Sequence, residues 1–175
     1  MMQLKAIELS ELAEKIDPVI AVRENWYLVT AQSEGKVNAL TAGWFTLGNN
    51  WEKKVATIFI RPQRYTKKLI DDSGRFTLTF FDGRHKEALG YLGSHSGFDV
   101  PDKILKSGLH PAEIEGQTYF EEGKVVLVCK VLYRQPILEA CFIDSDFASA
   151  TYPEKDFSVQ YVAEIESAYE IIRAS

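Results

Sequence analysis

Short apolar runs bounded by turn residues recur along most of this chain, and they constrain its fold more than any other feature. The longest is Val125 to Tyr133, and Phe76, Leu78 and Phe80 alternate with threonines in another. No alternation of strand and long helix accompanies them, which disfavours a parallel sheet and favours a closed antiparallel barrel in meander order. Closing the barrel also removes the exposed edges that apolar strands would otherwise present.

The remaining strands are predicted from the same pattern of apolar residues and turns. Ser33-Glu34-Gly35-Lys36 is a tight hairpin signal, and a second turn is predicted through Gly48 and Asn50. The predicted fold is mainly β, with about eight strands in a Greek-key antiparallel barrel and short helices at the connections. The other predicted strands are Val19–Val22, a turn at Glu24-Asn25, Trp26–Ala31, Val37–Phe45, Val55–Ile60, Glu113–Phe120 as a hairpin, and Val159–Ile165.

Several short helices are predicted from caps and apolar spacing. Thr66 is expected to cap a helix that Gly74 ends, and Gly93 is expected to end another. The region 144–156 is read as polar turns, and the tail after Glu166 as helical. The predicted helices are Leu9–Ile16 with Ser10 as its cap, Lys67–Asp72, Lys86–Leu92 and Lys103–Lys106.

Length and composition set limits on the class of protein. The 175 residues fit one domain, 1–175, and the net charge of −5 makes non-specific binding of nucleic acid unfavourable. No apolar run reaches the length of a membrane span and no leader pattern is present, so we expect a cytoplasmic protein without membrane contact. Cys129 is expected in the core, and the three histidines lack metal-ligand spacing with one another, so no metal site is predicted.

A basic turn stands out against this acidic background. Arg61 and Arg64 follow a buried strand, and Thr66 begins the helix behind them. Guanidinium groups beside a helix N-terminus suit a phosphate, because both offer N–H donors and positive potential. The alternative is that the basic residues pair with carboxylates such as Asp71 or Asp72, and the pattern alone leaves both open.

Two further stretches suit the rest of a flat anionic cofactor. Asn38 to Gly43 combines small and hydroxyl residues, so its backbone amides can approach the edge of a ring such as isoalloxazine, with Trp44 as a wall. The loop from Ser94 to Gly97 and Lys103 offer further polar contacts. Core packing of the strand, an exposed His95 and a solvated Lys103 are the alternatives.

The order and spacing of these motifs resemble the flavin reductase-like, flavoredoxin-type FMN-binding proteins. The likeness runs from about Asn38 to Tyr133 and includes Phe76–Phe81 and the loop around His95. It implies a split β-barrel, a homodimer, and FMN held near the dimer interface. The candidate cofactor-binding residues are Asn38, Ala39, Leu40, Thr41, Ala42, Trp44, Arg61, Arg64, Tyr65, Thr66, Ser94, His95, Ser96, Gly97 and Lys103.

The resemblance also implies electron transfer between NADH or NADPH, the flavin, and a small-molecule or protein acceptor. Ser158 stands where many relatives carry a histidine, and this departure bears on nicotinamide oxidation. Three functions are therefore weighed: an FMN-dependent oxidoreductase, an FMN carrier reduced by a protein partner, and a β-barrel module for another anion. No catalytic residue is identified. Arg61→Ala is expected to weaken FMN binding by about 1.5–3 kcal/mol, the scale of a charge-assisted hydrogen bond.

Overall fold

The computed structural model describes residues 2–16 and 26–173, which form ten strands and short helices. The predicted strand Val19–Val22 and the turn at Glu24-Asn25 lie outside these residues. The strands are β1 (Met2–Ala6), β2 (Tyr27–Ser33), β3 (Lys36–Ala42), β4 (Phe45–Asn50), β5 (Lys53–Ile60), β6 (Arg75–Phe80), β7 (Pro111–Ile114), β8 (Gln117–Phe120), β9 (Val125–Pro136) and β10 (Val159–Arg173). The α-helices are α1 (Leu12–Lys15), α2 (Tyr65–Ser73), α3 (Lys86–Ser94), α4 (Lys103–Lys106) and α5 (Ser145–Thr151), with 3-10 turns at Leu9–Glu11 and Glu139–Cys141.

One antiparallel sheet of eight strands forms the body of the molecule. Its main path runs β3-β2-β6-β9-β10-β5-β4, and β1 pairs with the far half of β10. A separate hairpin joins β7 to β8. The long strand β10 pairs with β9 along one edge, and along the other it pairs first with β5 and then with β1. Its pairing with β9 shifts register at two places, between Val162 and Ala163 and between Ile165 and Ser167.

The two ends of this path meet across an apolar interior. Phe45 of β4 packs edge-on against Tyr27 of β2 at 4.8 Å between ring centroids, and it lies 5.3 Å from Phe80 of β6. The Tyr27 hydroxyl donates to the Trp44 carbonyl at 3.0 Å, in the short link between β3 and β4. The sheet therefore curls into a barrel that is closed by side chains at the position of Gly43 and Trp44.

The predicted mainly β antiparallel barrel is confirmed, but the simple meander order is wrong. Hairpins join β2 to β3 and β4 to β5, and a long connection joins β9 to its neighbour β10, whereas β6 pairs with β2 and β9, and β5 pairs with β10. These long-range pairings are set by which faces are apolar, and order in sequence does not reveal them.

Several predicted boundaries move once tertiary contacts are present. The turn expected through Gly48 and Asn50 lies instead at Trp51-Glu52, where both residues have positive φ. Gly74 ends α2 in the left-handed region at φ +67°, as predicted, but the hydroxyl of Thr66 makes no cap and Gly93 lies inside α3. Ser10 likewise lies within the 3-10 turn instead of capping it.

The tail after Glu166 is a strand, so the predicted helix there is wrong. The glutamates along β10 form ion pairs with basic side chains on neighbouring elements: Glu164 with Lys53, Glu166 with Arg75 and Glu170 with Lys15. Cross-strand partners of this kind override the helix propensity of glutamate and alanine.

Residues 137–158 form an excursion that leaves the sheet and returns to the point of departure. Pro136 and Val159 are register partners at its base, and the Ile137 amide donates to the Ser158 carbonyl at 2.9 Å. The predicted polar turns here in fact contain α5 and a cluster of rings, in which Tyr152 lies 4.9 Å from Phe157 and 6.2 Å from Phe142. We refer to residues 137–158 as the excursion.

The described part of the chain contains no helix long and apolar enough to cross a membrane. Cys129 lies fully buried in β9 and Cys141 is exposed, and neither forms a disulfide. Burial raises the pKa of the Cys129 thiol. The expected core role of Cys129 is thereby confirmed.

Candidate functional site

A cavity of about 220 Å³ opens where the end of β3, the end of β5 and the end of the excursion meet. Five consecutive residues at the β3–β4 link form one side, and Ser158 closes the other. Among the described residues β3 is the last strand of the sheet path, so the backbone groups along its outer side pair with no described strand. The lining residues are Leu40, Thr41, Ala42, Gly43, Trp44, Phe59, Ile60, Arg61, Arg64 and Ser158.

Carboxylates neutralise some of the four cations of the basic turn, Arg61, Arg64, Lys67 and Lys68, but not all of them. Lys67 donates to Asp71 at 2.6 Å, and Lys68 pairs with Asp72, each one helical turn away. The alternative of surface carboxylate pairing therefore holds for both lysines. Arg61 pairs with Asp156 of the excursion.

Arg64 is the exception within the described residues. Its side chain makes no ion pair or hydrogen bond there, and its Nη2 atom is shielded from solvent without a partner. Burial lowers the pKa of Arg64. A guanidinium held in this way is costly unless an anion joins it, since removing a charge from water without a partner is unfavourable.

A second buried cation lies beside Arg64. Lys103 is 1% exposed, and its ammonium donates to the carbonyls of Leu92 at 3.0 Å and His95 at 2.8 Å. Its pKa is lowered to about 8, first by burial and then by the positive charge of Arg64. Neither cation has a carboxylate partner among the described residues, so the pair is a candidate position for an anion.

Arg61 is instead committed to the excursion. Besides Asp156, it donates to the Thr151 carbonyl at 3.1 Å, and its guanidinium lies 5.0 Å from the centroid of the Tyr152 ring. Gln63 adds a hydrogen bond to Asp156 at 2.7 Å. Hydrogen bonds from Arg61 and Gln63 lower the pKa of the Asp156 carboxyl. Arg61 therefore ties the excursion to the cavity wall.

Asn38 and Thr66 lie behind the cavity and hold two segments together. The Asn38 amide donates to the Thr66 hydroxyl at 2.7 Å, and both side chains are buried. Gly97 packs so closely that a Cβ there would lie 2.4 Å from Asn38 Oδ1 and 2.7 Å from the Tyr65 ring. Strand β3, the start of α2 and the loop at Gly97 are thereby fixed relative to one another.

The loop residues make mostly local contacts. Ser94 donates to the Gly90 carbonyl at 2.9 Å, and Ser96 accepts from the Phe98 amide at 3.2 Å. The His95 ring stacks on Tyr91 with 4.0 Å between centroids. The Thr41 hydroxyl donates to the Leu89 carbonyl at 2.5 Å, joining β3 to α3.

The structure divides the predicted site residues into two neighbouring groups. Leu40, Thr41, Ala42, Trp44, Arg61 and Arg64 line the cavity. Asn38, Ala39, Tyr65, Thr66, Ser94, His95, Ser96, Gly97 and Lys103 lie outside its lining. The lining residues that were not among the candidates are Gly43, Phe59, Ile60 and Ser158. Gly43 lies between two candidates, and Phe59 and Ile60 directly precede Arg61, so adjacency was the available signal.

Comparison with known proteins places this arrangement in a family. The model of the flavin reductase like domain matches residues 21–166, well over half of the chain. The chain therefore belongs to the flavin reductase-like family, as the resemblance of its motifs indicated.

One relative and several solved structures are similar to this chain. An uncharacterized protein of Aeropyrum pernix is 31% identical over 107 residues, which cover 61% of this chain and 38% of that relative's length. The fold is similar to that of an FMN-binding domain of a flavin reductases-like enzyme from Shewanella baltica, with a TM-score of 0.69, 20% identity, and coverage of 96% of this chain and 77% of that one. It is also similar to flavoredoxin from Methanosarcina acetivorans, with a TM-score of 0.66, 20% identity, and coverage of 84% and 68%. At these identities the structures establish the split-barrel fold.

Proposed function

We propose that this protein binds FMN in the cavity beside β3 and acts as an oxidoreductase. The observation that carries the proposal is the uncompensated charge of Arg64, beside Lys103 and the cavity lined by the end of β3. A phosphate monoester supplies the missing negative charge, and charge-assisted hydrogen bonds of this kind are the strong ones.

The residues along the cavity fit the flat part of a flavin. Ala42 and Gly43 leave room for a ring to approach the backbone, Trp44 and Phe59 add apolar surface, and the free outer side of β3 offers amide donors and carbonyl acceptors. This combination of apolar walls and few polar groups is typical of cofactor sites. In this proposal Asn38, Thr66, Tyr65 and Gly97 support the site from behind instead of contacting the ring.

Bound FMN would supply the chemistry of accepting a hydride from NADH or NADPH and passing electrons to an acceptor. The chain's own part is to bind the phosphate through Arg64 and Lys103, to orient the ring against β3, and to exclude water with the excursion. The acceptor is a small molecule or a protein.

We infer that a second copy of the chain completes the site. The cavity of about 220 Å³ is smaller than the roughly 300–1,000 Å³ of most ligand pockets, so part of a mononucleotide would extend beyond it. A homodimer with the flavin near its interface, as the resemblance implies, would cover that part.

An FMN carrier that takes electrons from a protein partner is the second candidate. The observation in its favour is that the described lining contains no histidine or carboxylate, and Ser158 does not titrate near neutral pH. Such a site can hold a flavin but has no lining side chain to manage a proton.

Two measurements separate the candidates. Visible absorption after incubation with FMN and gel filtration tests binding: a yellow protein supports both flavin functions, and a colourless one leaves an anion-binding module for another ligand. Stopped-flow mixing of the loaded protein with NADH and with NADPH then tests the enzyme. Fast bleaching of the flavin supports the oxidoreductase, whereas bleaching only with an added reductase supports the carrier.

A further inference from the structure

We propose that Ser158 is a binding residue whose hydroxyl hydrogen-bonds the flavin ring. This inference rests on the proposed function, since it concerns the same cavity.

The position of Ser158 is fixed by its neighbours on both sides. It is the last residue of the excursion, its carbonyl accepts from the Ile137 amide at 2.9 Å, and Val159 directly after it starts β10. The residue is 0% exposed and lines the cavity. Its side chain therefore reaches the cavity from a rigid point of the sheet.

The Ser158 hydroxyl has no hydrogen-bond partner among residues 2–16 and 26–173. A buried hydroxyl left without a partner is unfavourable, and most such groups in proteins are satisfied. Ser158 thus has an unused donor and acceptor at the wall of the cavity, where a ligand can satisfy both.

Two other buried hydroxyls show why the location matters. Thr30 and Thr79 also lack partners among the described residues, but neither belongs to the cavity lining. For them the missing hydrogen bond is a feature of the barrel interior. Ser158 combines an unpartnered hydroxyl with a place in the cavity lining, and the threonines provide a matched control.

The surroundings of Ser158 indicate what kind of group it meets. Trp44, Phe59 and Gly43 give an apolar, flat environment, and the charge of Arg61 is neutralised by Asp156. An uncharged ring with a polar edge suits this wall. The edge of isoalloxazine carries carbonyl oxygens and ring nitrogens, and a hydroxyl can donate to one or accept from the other.

The test uses full-length Ser158→Ala and Ser158→Cys, with Thr79→Val as the control that removes a buried hydroxyl away from the cavity. Affinities for FMN and for riboflavin, which has the same ring without the phosphate, are measured by calorimetric titration, and the absorption spectrum of the bound flavin is recorded. Both Ser158 variants are expected to bind FMN and riboflavin about three- to tenfold more weakly, the range of one hydrogen bond. Their spectra should differ from that of the wild type, while Thr79→Val should match it.

The outcomes separate this assignment from the function itself. Wild-type affinity and spectrum in both Ser158 variants would overturn the role of Ser158 and leave FMN binding intact. A loss for FMN alone would place the contact at the phosphate and also overturn it. If the wild type binds neither flavin, the proposed function and this assignment fall together. Ser158→Cys keeps a Cβ substituent but offers only a weakly hydrogen-bonding thiol, so it decides the matter if Ser158→Ala does not fold.

Discussion

Arg61 and Arg64 lie three residues apart on one turn, yet their environments are opposite. Arg61 has a carboxylate, a carbonyl and an aromatic ring as partners, all from the excursion. Arg64 has no such partner among the described residues and a second cation beside it, Lys103. The sequence motif does not distinguish the two arginines, whereas the fold gives Arg61 partners in the excursion and leaves the Arg64 side chain without a partner among the described residues.

A positive charge without a nearby carboxylate, more than positive charge alone, indicates an anion site. A neutralised guanidinium has little electrostatic free energy left for a phosphate, because its nearby carboxylate repels the same ligand. A guanidinium without such a carboxylate is stabilised when it binds an anion, since the unfavourable free energy of its burial is already present in the free protein. We therefore expect FMN to depend on Arg64 and Lys103 much more than on Arg61.

The largest effect is expected for Arg64→Gln. Losing a charge-assisted hydrogen bond to phosphate should weaken FMN binding by about 2–3 kcal/mol. The same variant should leave riboflavin affinity unchanged, since riboflavin lacks the phosphate. Calorimetric titration with both flavins checks this, and an equal loss for the two would break the comparison.

Lys103→Met should weaken FMN binding by a smaller amount, about 1–2 kcal/mol. The variant removes one positive charge from the phosphate site, but Arg64 remains. It also leaves the carbonyls of Leu92 and His95 without their donor, so the free energy of unfolding should fall as well. Lys106→Met, an exposed lysine paired with Asp102 on the same helix, is the control and should change neither quantity.

The pH dependence should have opposite signs for binding and for stability. Above the Lys103 pKa of about 8 the free protein loses that charge, so FMN affinity should fall by up to about tenfold per pH unit. The unfolded chain keeps its lysine protonated up to about pH 10.4, so it binds more protons and apoprotein stability should rise from pH 8 towards 10. Titrations and urea unfolding at several pH values measure both trends. In Lys103→Met, neither the fall in FMN affinity nor the rise in stability above pH 8 should be seen.

Arg61→Ala should have the smallest effect on FMN, about 1 kcal/mol or less. This is below the 1.5–3 kcal/mol expected from the sequence, because Asp156 already neutralises the guanidinium. The main consequence should be a looser excursion, seen as faster amide hydrogen exchange across residues 137–158. An FMN loss equal to that of Arg64→Gln would contradict the distinction drawn between the two arginines.

Local signals predicted much of the fold. Glu34-Gly35 forms the β2–β3 hairpin with positive φ at both residues, and Gly74 ends α2 as its position suggested. The strand predicted over Val159–Ile165 continues to Arg173, and this continuation was missed because Ala168 and Glu170 have helix propensity and their strand partners are distant in sequence. Pairings such as β6 with β9 depend on burial that no local pattern contains.

The sequence predicted where the candidate site lies, but not the separate roles of its residues. The sequence pointed to the end of β3 and to the basic turn, and these do meet at one cavity. It did not reveal that Asp156 compensates Arg61 across 95 positions, or that Asn38 is bonded to Thr66. Ser158 was noticed only as a departure from relatives, because an unpartnered hydroxyl is visible only when the surrounding atoms are known.

The central claim is that Arg64 holds the phosphate of FMN in the cavity beside β3. The most direct test is a calorimetric titration of FMN and riboflavin into the wild type and Arg64→Gln at pH 7. We expect the wild type to bind FMN more tightly than riboflavin, and we expect Arg64→Gln to remove most of that difference in affinity. A difference that survives the substitution, or a wild type that binds both flavins equally, would contradict it.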